Sequence, residues 1–290
     1  MAHRRYDRDA WQAACPHAAL TPAQRHAMDA IAPALPDGEV EAVYLPLAAL
    51  IRAQLGQQAP PFLIGIAGSV AAGKSTVAQL LRGLLTVWGR VPTVQVLSTD
   101  GFIYPTAVLQ ARRLMHRKGF PESYDTTTFF NLIRGVRAGE AHEAPLYSHQ
   151  TYDRLPETLP IHRPDVLIVE GVNVLQATPE QADGVRPFLD LSLYVDASED
   201  DLFAWFMQRF QRLLEAARRD PLAYLHPLTT LPPAEAEARA THIWNTINLP
   251  NLRQHIRPTR AAAHLVLEKS STHRVHRVAL HTRSLGHLNV

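Results

Sequence analysis

Phe62-Leu63-Ile64-Gly65-Ile66-Ala67-Gly68-Ser69-Val70-Ala71-Ala72-Gly73-Lys74-Ser75-Thr76 is the stretch on which the fold turns. Its first six residues form an apolar run of strand length, and residues 76–87 have the composition of a helix. Between them, residues 68–75 fit G-x-x-x-x-G-K-[ST] at every fixed position. Strand, glycine-rich loop and helix in that order form a phosphate cradle. The glycines let several N–H groups converge on one phosphate, and the helix start adds its positive end. Lys74 supplies a compact charge to the outer phosphates, and the Ser75 hydroxyl suits Mg²⁺. Gly68, Ser69, Val70, Ala71, Ala72, Gly73, Lys74, Ser75 and Thr76 are therefore the candidate nucleotide-binding residues, with ATP and Mg²⁺ the implied ligands.

Working outward, further short apolar runs at residues 94–97, 166–169, 189–195 and 264–267 alternate with longer amphipathic stretches. That alternation predicts an α/β fold with a mostly parallel central sheet flanked by helices. Residues 1–60 lack strong motifs and read as a helical N-terminal extension, with Thr21-Pro22 as a helix start and 56–61 as a linker. The expected organisation is one kinase domain over 61–290 carrying that extension.

In open α/β sheets the active crevice lies beyond the carboxyl ends of the strands. Asp100 follows the 94–97 run and Glu170 follows 166–169, so both carboxylates are expected beside the loop. Asp100 there can take the proton of an attacking hydroxyl or hold Mg²⁺ through water, and Glu170 stands at the Walker-B position. Residues 201–214 predict an amphipathic helix with Leu202, Phe206 and Leu213 on one stripe and Arg209 in its middle. A charge there must pair, reach past the apolar surface to water, or enter a polar cavity where it could neutralise phosphoryl charge.

Composition bounds the rest. The chain has 290 residues, 46% hydrophobic and 19% charged, enough for a sizeable core and incompatible with general disorder. One cysteine, Cys15, excludes an intrachain disulfide and a four-cysteine zinc site. The longest apolar stretch, 61–72, is too short to span a bilayer, and no signal core follows the first residues, so a cytoplasmic enzyme with no membrane partner is expected. The basic stretch from His273 to Arg283 reads as a solvated strand or tail, not a nucleic-acid arm, because net charge is only +2 and aromatics are absent there. Of 29 basic residues only three are lysine: Lys74, Lys118 and Lys269. In a chain that otherwise uses arginine, those positions call for a reason.

Several segments together resemble the bacterial type I pantothenate kinase family. They are Lys118-Gly119-Phe120-Pro121-Glu122-Ser123-Tyr124-Asp125, Pro145-Leu146-Tyr147-Ser148-His149-Gln150-Thr151-Tyr152-Asp153, and Ile168-Val169-Glu170-Gly171-Val172-Asn173-Val174-Leu175-Gln176. Ile247-Asn248, Pro258-Thr259-Arg260 and Tyr44-Leu45-Pro46-Leu47 extend the resemblance over residues 40 to the C-terminus. It implies ATP-dependent phosphorylation of the primary hydroxyl of pantothenate, the first step of coenzyme A synthesis, in a homodimer. By position it implies Asp100 as general base, Lys74 and Arg209 on the phosphates, and Ser75 and Glu170 on the metal. Tyr147, His149, Tyr152, Phe206 and Asn248 fall on the substrate side.

The chain also departs from that family. Gln79 stands for an arginine that contacts coenzyme A, Phe206 for a tyrosine, and Leu225 and Leu228 for aromatic residues. A lost charge-assisted contact and a thinned aromatic pocket predict weaker feedback inhibition by coenzyme A. The competing readings are a uridine-kinase-like or phosphoribulokinase-like enzyme with another hydroxyl substrate, and a nucleotide-binding regulator without turnover. The 118–125 segment argues against the first, and the presence of Asp100 against the second.

Overall fold

The computed structural model describes residues 3–14, 19–55, 60–177 and 181–281. Among them are β1 (His3–Asp7), β2 (Phe62–Gly68), β3 (Val94–Ser98), β4 (His142–Ser148), β5 (Asp153–Ile161), β6 (Val166–Glu170), β7 (Leu191–Asp196), β8 (Leu265–Lys269) and β9 (Val275–His281). The principal α-helices are α1 (Arg8–Ala13), α2 (Pro22–Ile31), α3 (Leu45–Leu55), α4 (Lys74–Val87), α5 (Thr106–Ala111), α6 (Thr126–Arg137), α7 (Glu199–Ala217) and α8 (Pro233–Ile243).

Seven strands form the central sheet in the order β1-β9-β8-β7-β2-β6-β3. From β3 to β8 every pairing is parallel, and β9 and β1 add an antiparallel edge. β2 and β6 are buried at every position, as strands covered on both faces must be. Edge strand β3 is only partly buried, and its Gln95 side chain donates to the Pro160 carbonyl of β5. Helix α4 packs against β3 and β6 on one side and α2 and α3 on another. One hydrophobic core runs from Tyr6 to Leu280.

The sequence expectations need four corrections. The N-terminal extension is not purely helical: it begins with β1, which pairs with β9. His-Arg-Arg-Tyr-Asp carries no apolar run, so only its partner reveals it as a strand. At the other end, the basic segment includes β9, with Val275, Val278, Ala279 and Leu280 buried, because β1 and α1 cover it. β4 and β5 form a separate two-stranded sheet that no apolar run announced. Pro145, Pro156 and Pro160 argue against a central strand but are tolerated in an isolated pair. On α7, Leu213 is 36% exposed; the buried residues are Leu202, Trp205, Phe210 and Ala217. The helix outruns the main core, and its second half leans on a small cluster of Phe210, Ala236 and Ala240. Cys15, Arg283 and most of the 56–61 linker lie outside the described residues.

Candidate active site

The sheet register assembles the site. Glu170 pairs with Ile66 on one side and Ser98 on the other. The loop that follows β2, the Thr99–Phe102 turn that follows β3, and the last residue of β6 therefore meet at one edge. Gly73 caps α4 with φ +90°, a conformation that favours glycine. It offers no side-chain cap, so the first N–H groups of α4 remain open to an anion. The Ser69 hydroxyl, buried at 2% exposure, has no partner among the described residues. Lys74 Nζ folds back on the Ser69 carbonyl at 2.9 Å. Ser75 Oγ donates to Glu170 Oε1 at 3.0 Å, which joins two hard oxygen donors suited to Mg²⁺.

Asp100 and Lys74 perturb each other. Burial raises the Asp100 carboxyl above its ordinary value, while Lys74 and Arg209 pull it back. Burial lowers Lys74, against the opposing pull of Glu170 and Asp100. Arg209, half-buried on α7, has no ion-pair partner among the described residues, yet its charge acts on Lys74, Asp100 and His149. Of the three options open to an arginine on that stripe, it takes the polar space beside the carboxylate.

The hairpin β4–β5 lies on the Asp100 turn. A Cβ on Gly101 would stand 1.9 Å from the Pro145 carbonyl, so that approach requires glycine. His149 Nε2 is 3.5 Å from Asp100 Oδ2. Burial, then the charge of Arg209, lowers the His149 imidazole to about 4, so it is neutral at pH 7. Tyr147 packs edge-on against His149 at 5.4 Å and Tyr152 at 6.2 Å, and its buried hydroxyl has no partner among the described residues. Tyr152 occupies the left-handed region at φ +55° and stacks on Tyr224 at 4.5 Å.

Phe206 sits half-buried against Trp244, with ring centroids 5.5 Å apart, and bridges the main core to the small cluster. Asn248 is half-buried at the end of the Trp244–Asn248 turn, and its side chain makes no hydrogen bond among the described residues. Its neighbour Asn251 instead ties this region to the Gly119 carbonyl at 2.7 Å. Arg260 joins Asp196 of β7 to Glu268 of β8, giving the Pro258-Thr259-Arg260 segment a structural duty. A cavity of about 400 Å³ opens beside Tyr124 and Asn173 but includes none of Lys74, Asp100 or Arg209 in its wall.

Two features were missed. Tyr224 carries no sequence signal of its own; its N–H donates to the Gln150 carbonyl at 2.8 Å, and Gln150 bonds to Asp220. The duties of Lys118 and Lys269 had no mechanism in the sequence: lysine's scarcity marked both, and the 118–125 segment marked Lys118. Lys118, 4% exposed, donates to the Tyr152 carbonyl and to Thr106 Oγ1 and lies 4.0 Å from the Tyr152 ring centroid. An ammonium below two tyrosine rings thus pins the tip of the hairpin.

A phosphate loop ending the central strand, two carboxylates on neighbouring strand ends and an arginine from the following helix define a P-loop kinase of small molecules. Comparison with known proteins agrees. Residues 63–212 match the Phosphoribulokinase / Uridine kinase family model. A pantothenate kinase of Rhizobium etli is 50% identical over 227 residues, covering 76% of this chain and 69% of the relative. One from Parvibaculum lavamentivorans is 45% identical and covers 83% and 81%; one from Corynebacterium diphtheriae is 46% identical and covers 83% and 84%. Among solved structures, a chain from Silicibacter sp. TM1040 superposes with TM-score 0.57 at 26% identity, over 75% of this chain and 94% of its own. The YGR205w protein shares the fold alone, with TM-score 0.62 at 14% identity over 84% and 99%. The chain belongs to the Phosphoribulokinase / Uridine kinase family and, within it, to the pantothenate kinases.

Proposed function

We propose that this chain transfers the γ-phosphoryl group of ATP to the primary hydroxyl of pantothenate, the step that opens coenzyme A synthesis. The observation that carries the reading is the meeting of Lys74, Asp100 and Arg209 beside the aromatic hairpin of Tyr147, His149 and Tyr152, in a chain close to half identical to pantothenate kinases.

The loop N–H groups, residues 68–76, hold the phosphates, and Lys74 moves from the Ser69 carbonyl to their outer oxygens. Ser75 and Glu170 are the residues that would hold Mg²⁺, which when bound would neutralise charge on the phosphate oxygens. Asp100 accepts the hydroxyl proton as the new O–P bond forms and the bond to ADP breaks. Its raised pKa makes it a stronger base than an ordinary aspartate, while Lys74 and Arg209 favour the ionised form it needs. His149, neutral and beside Asp100, orients the hydroxyl without competing for its proton. Arg209 neutralises the charge that develops during transfer. Tyr147, Tyr152, Phe206 and Asn248 line the acceptor side.

ATP turnover with pantothenate, uridine and ribulose 5-phosphate offered in parallel tests the reading. Pantothenate alone is expected to be consumed; turnover with either other substrate, or with none, would overturn it.

The enzyme works in the cytoplasm as a homodimer, and coenzyme A inhibits it weakly. Leu225 and Leu228 support the inhibition reading: they pack on the Phe210, Ala236 and Ala240 cluster and add no aromatic ring where the resembled family lines a pocket for the pantetheine arm of coenzyme A. Gln79 supplies no charge for a phosphate. Tight, ATP-competitive inhibition in a coenzyme A titration would sink that part. Sedimentation of the purified protein tests the dimer.

A further inference from the structure

The mechanism above has no duty for Lys269. This residue ends β8 and is only 7% exposed. A buried ammonium is costly unless its donors are satisfied. No carboxylate lies within ion-pair distance of it among the described residues. Its hydrogen bond runs instead to the phosphate loop, where Nζ donates to the Ala72 carbonyl at 3.0 Å. The Trp205 ring centroid is 6.0 Å away. The same Nζ stands 2.8 Å from the place a Gly73 Cβ would occupy, so ammonium and loop are in close contact.

Peptide geometry gives this contact a consequence. A trans peptide is planar, with its C=O and the following N–H pointing opposite ways. Anchoring the Ala72 carbonyl therefore turns the Gly73 N–H away from Lys269. Gly73 is the cap of α4, and its backbone, at φ +90°, lacks the steric restraint that a side chain would add. The loop needs that restraint from outside.

We propose that Lys269 is a positioning residue for the phosphate loop: by holding the Ala72 carbonyl, it keeps the Gly73 N–H turned toward the bound phosphates. The choice of lysine follows from the space. A guanidinium fork is broader than an ammonium and would press on the backbone at Gly73. The charge itself is sustained from behind by Glu39, which favours the protonated form against the burial that lowers Lys269 to about 8. Glu39, 1% exposed, belongs to the N-terminal extension; it pairs with Arg8 and accepts from the Val275 N–H at 2.7 Å. The extension thus stands behind the loop through two buried side chains.

The inference rests on ATP as phosphoryl donor, not on which hydroxyl is phosphorylated, so nucleotide binding is measured by itself. ADP is titrated calorimetrically into the wild-type enzyme, Lys269→Met and Lys269→Arg, with melting curves and steady-state kinetics for each substrate. Lys269→Met is expected to raise the ADP Kd and the ATP KM about ten- to hundredfold, the range for losing a charged hydrogen bond, with the pantothenate KM within about twofold. Lys269→Arg is expected to raise the ATP KM less, by about threefold to tenfold, because the donor remains and only its fit is lost. An unchanged ADP Kd in Lys269→Met would overturn the proposal. So would losses that fall equally on both substrates in step with a lower melting temperature, the mark of a merely structural lysine. Should Lys269→Met fail to fold, Lys269→Arg decides by the same split: an ATP KM raised alone supports the proposal, and an ATP KM unchanged defeats it.

Discussion

On the proposed phosphate side of the site, consecutive residues 68–76 form the loop, while on the proposed acceptor side the hairpin that carries Tyr147, His149 and Tyr152 is held by three other segments. Lys118 pins the hairpin tip, the Asp153 carboxylate accepts from the Thr106 N–H at 2.9 Å, and Tyr224 stacks on Tyr152. The first half is specified by local backbone geometry, the second by docking. A change in one residue therefore acts differently on the two sides. On the phosphate side it should alter nucleotide handling directly. On the acceptor side it should act through the pose of the hairpin.

Asp100 sits where the halves meet, so its loss should be the largest single effect. Asp100→Asn is expected to lower kcat about 10²- to 10⁴-fold, with ADP affinity, read by calorimetry, within about threefold. Near-normal turnover would remove the base from the mechanism. Next comes Lys118→Met, which frees the hairpin tip. Steady-state kinetics should show the pantothenate KM raised about tenfold or more, the scale of hydrogen bonds from a charged donor, and the ATP KM little changed. A parallel rise in both constants would show that the division between the halves is false.

A smaller effect is expected for Tyr224→Ala. Losing one stacked ring should raise the pantothenate KM about two- to tenfold at unchanged melting temperature. An unchanged KM would place Tyr224, half-exposed, outside the acceptor side.

The smallest effect concerns pH. The fold lowers the His149 imidazole from 6.5 to about 4, which favours its neutral form. Its contribution to stability is therefore complete above pH 6.5 and is lost as pH falls through about 4. Activity should not drop on account of His149 between pH 8 and about 5.5, and its imidazole NMR titration should have its midpoint well below 6.5. Asp100 behaves oppositely: with its pKa raised, the acid limb of kcat/KM should lie above the ordinary carboxylate value of 3.8. An imidazole midpoint at or above 6.5 would mean that Asp100, not burial and Arg209, governs His149.

The phosphate loop, the five parallel strands and both strand-end carboxylates were legible because each is a local pattern. Apolar runs mark doubly covered strands, and a carboxylate after such a run lies at the active edge. The register sets Glu170 beside Ile66 near the end of β2, and the loop and the start of α4 then bring Ser75 to it. β1, β4 and β5 were not legible as strands, and β9 was legible only as a solvated strand or tail, not as a buried one. Their residues are charged, proline-interrupted or mixed, and they gain strand character from a partner supplied elsewhere in the chain. Leu213 misled for a related reason: periodicity shows which residues share a face, not how far the core extends beneath it.

The three lysines separate what the sequence determined from what only the tertiary structure decided. Lys74 has its meaning in the motif, because its partners are its own neighbours. Lys118 and Lys269 stood out by being rare, and Lys118 also by opening the family-like segment 118–125, but neither had a readable partner. Their partners, Tyr152 at 34 positions' separation and Ala72 at 197, are brought within hydrogen-bond distance by the packed sheet and the docked hairpin. A hydrogen bond reaches about 3 Å, so a side chain whose acceptor lies far along the chain has no readable duty until the fold has closed that distance.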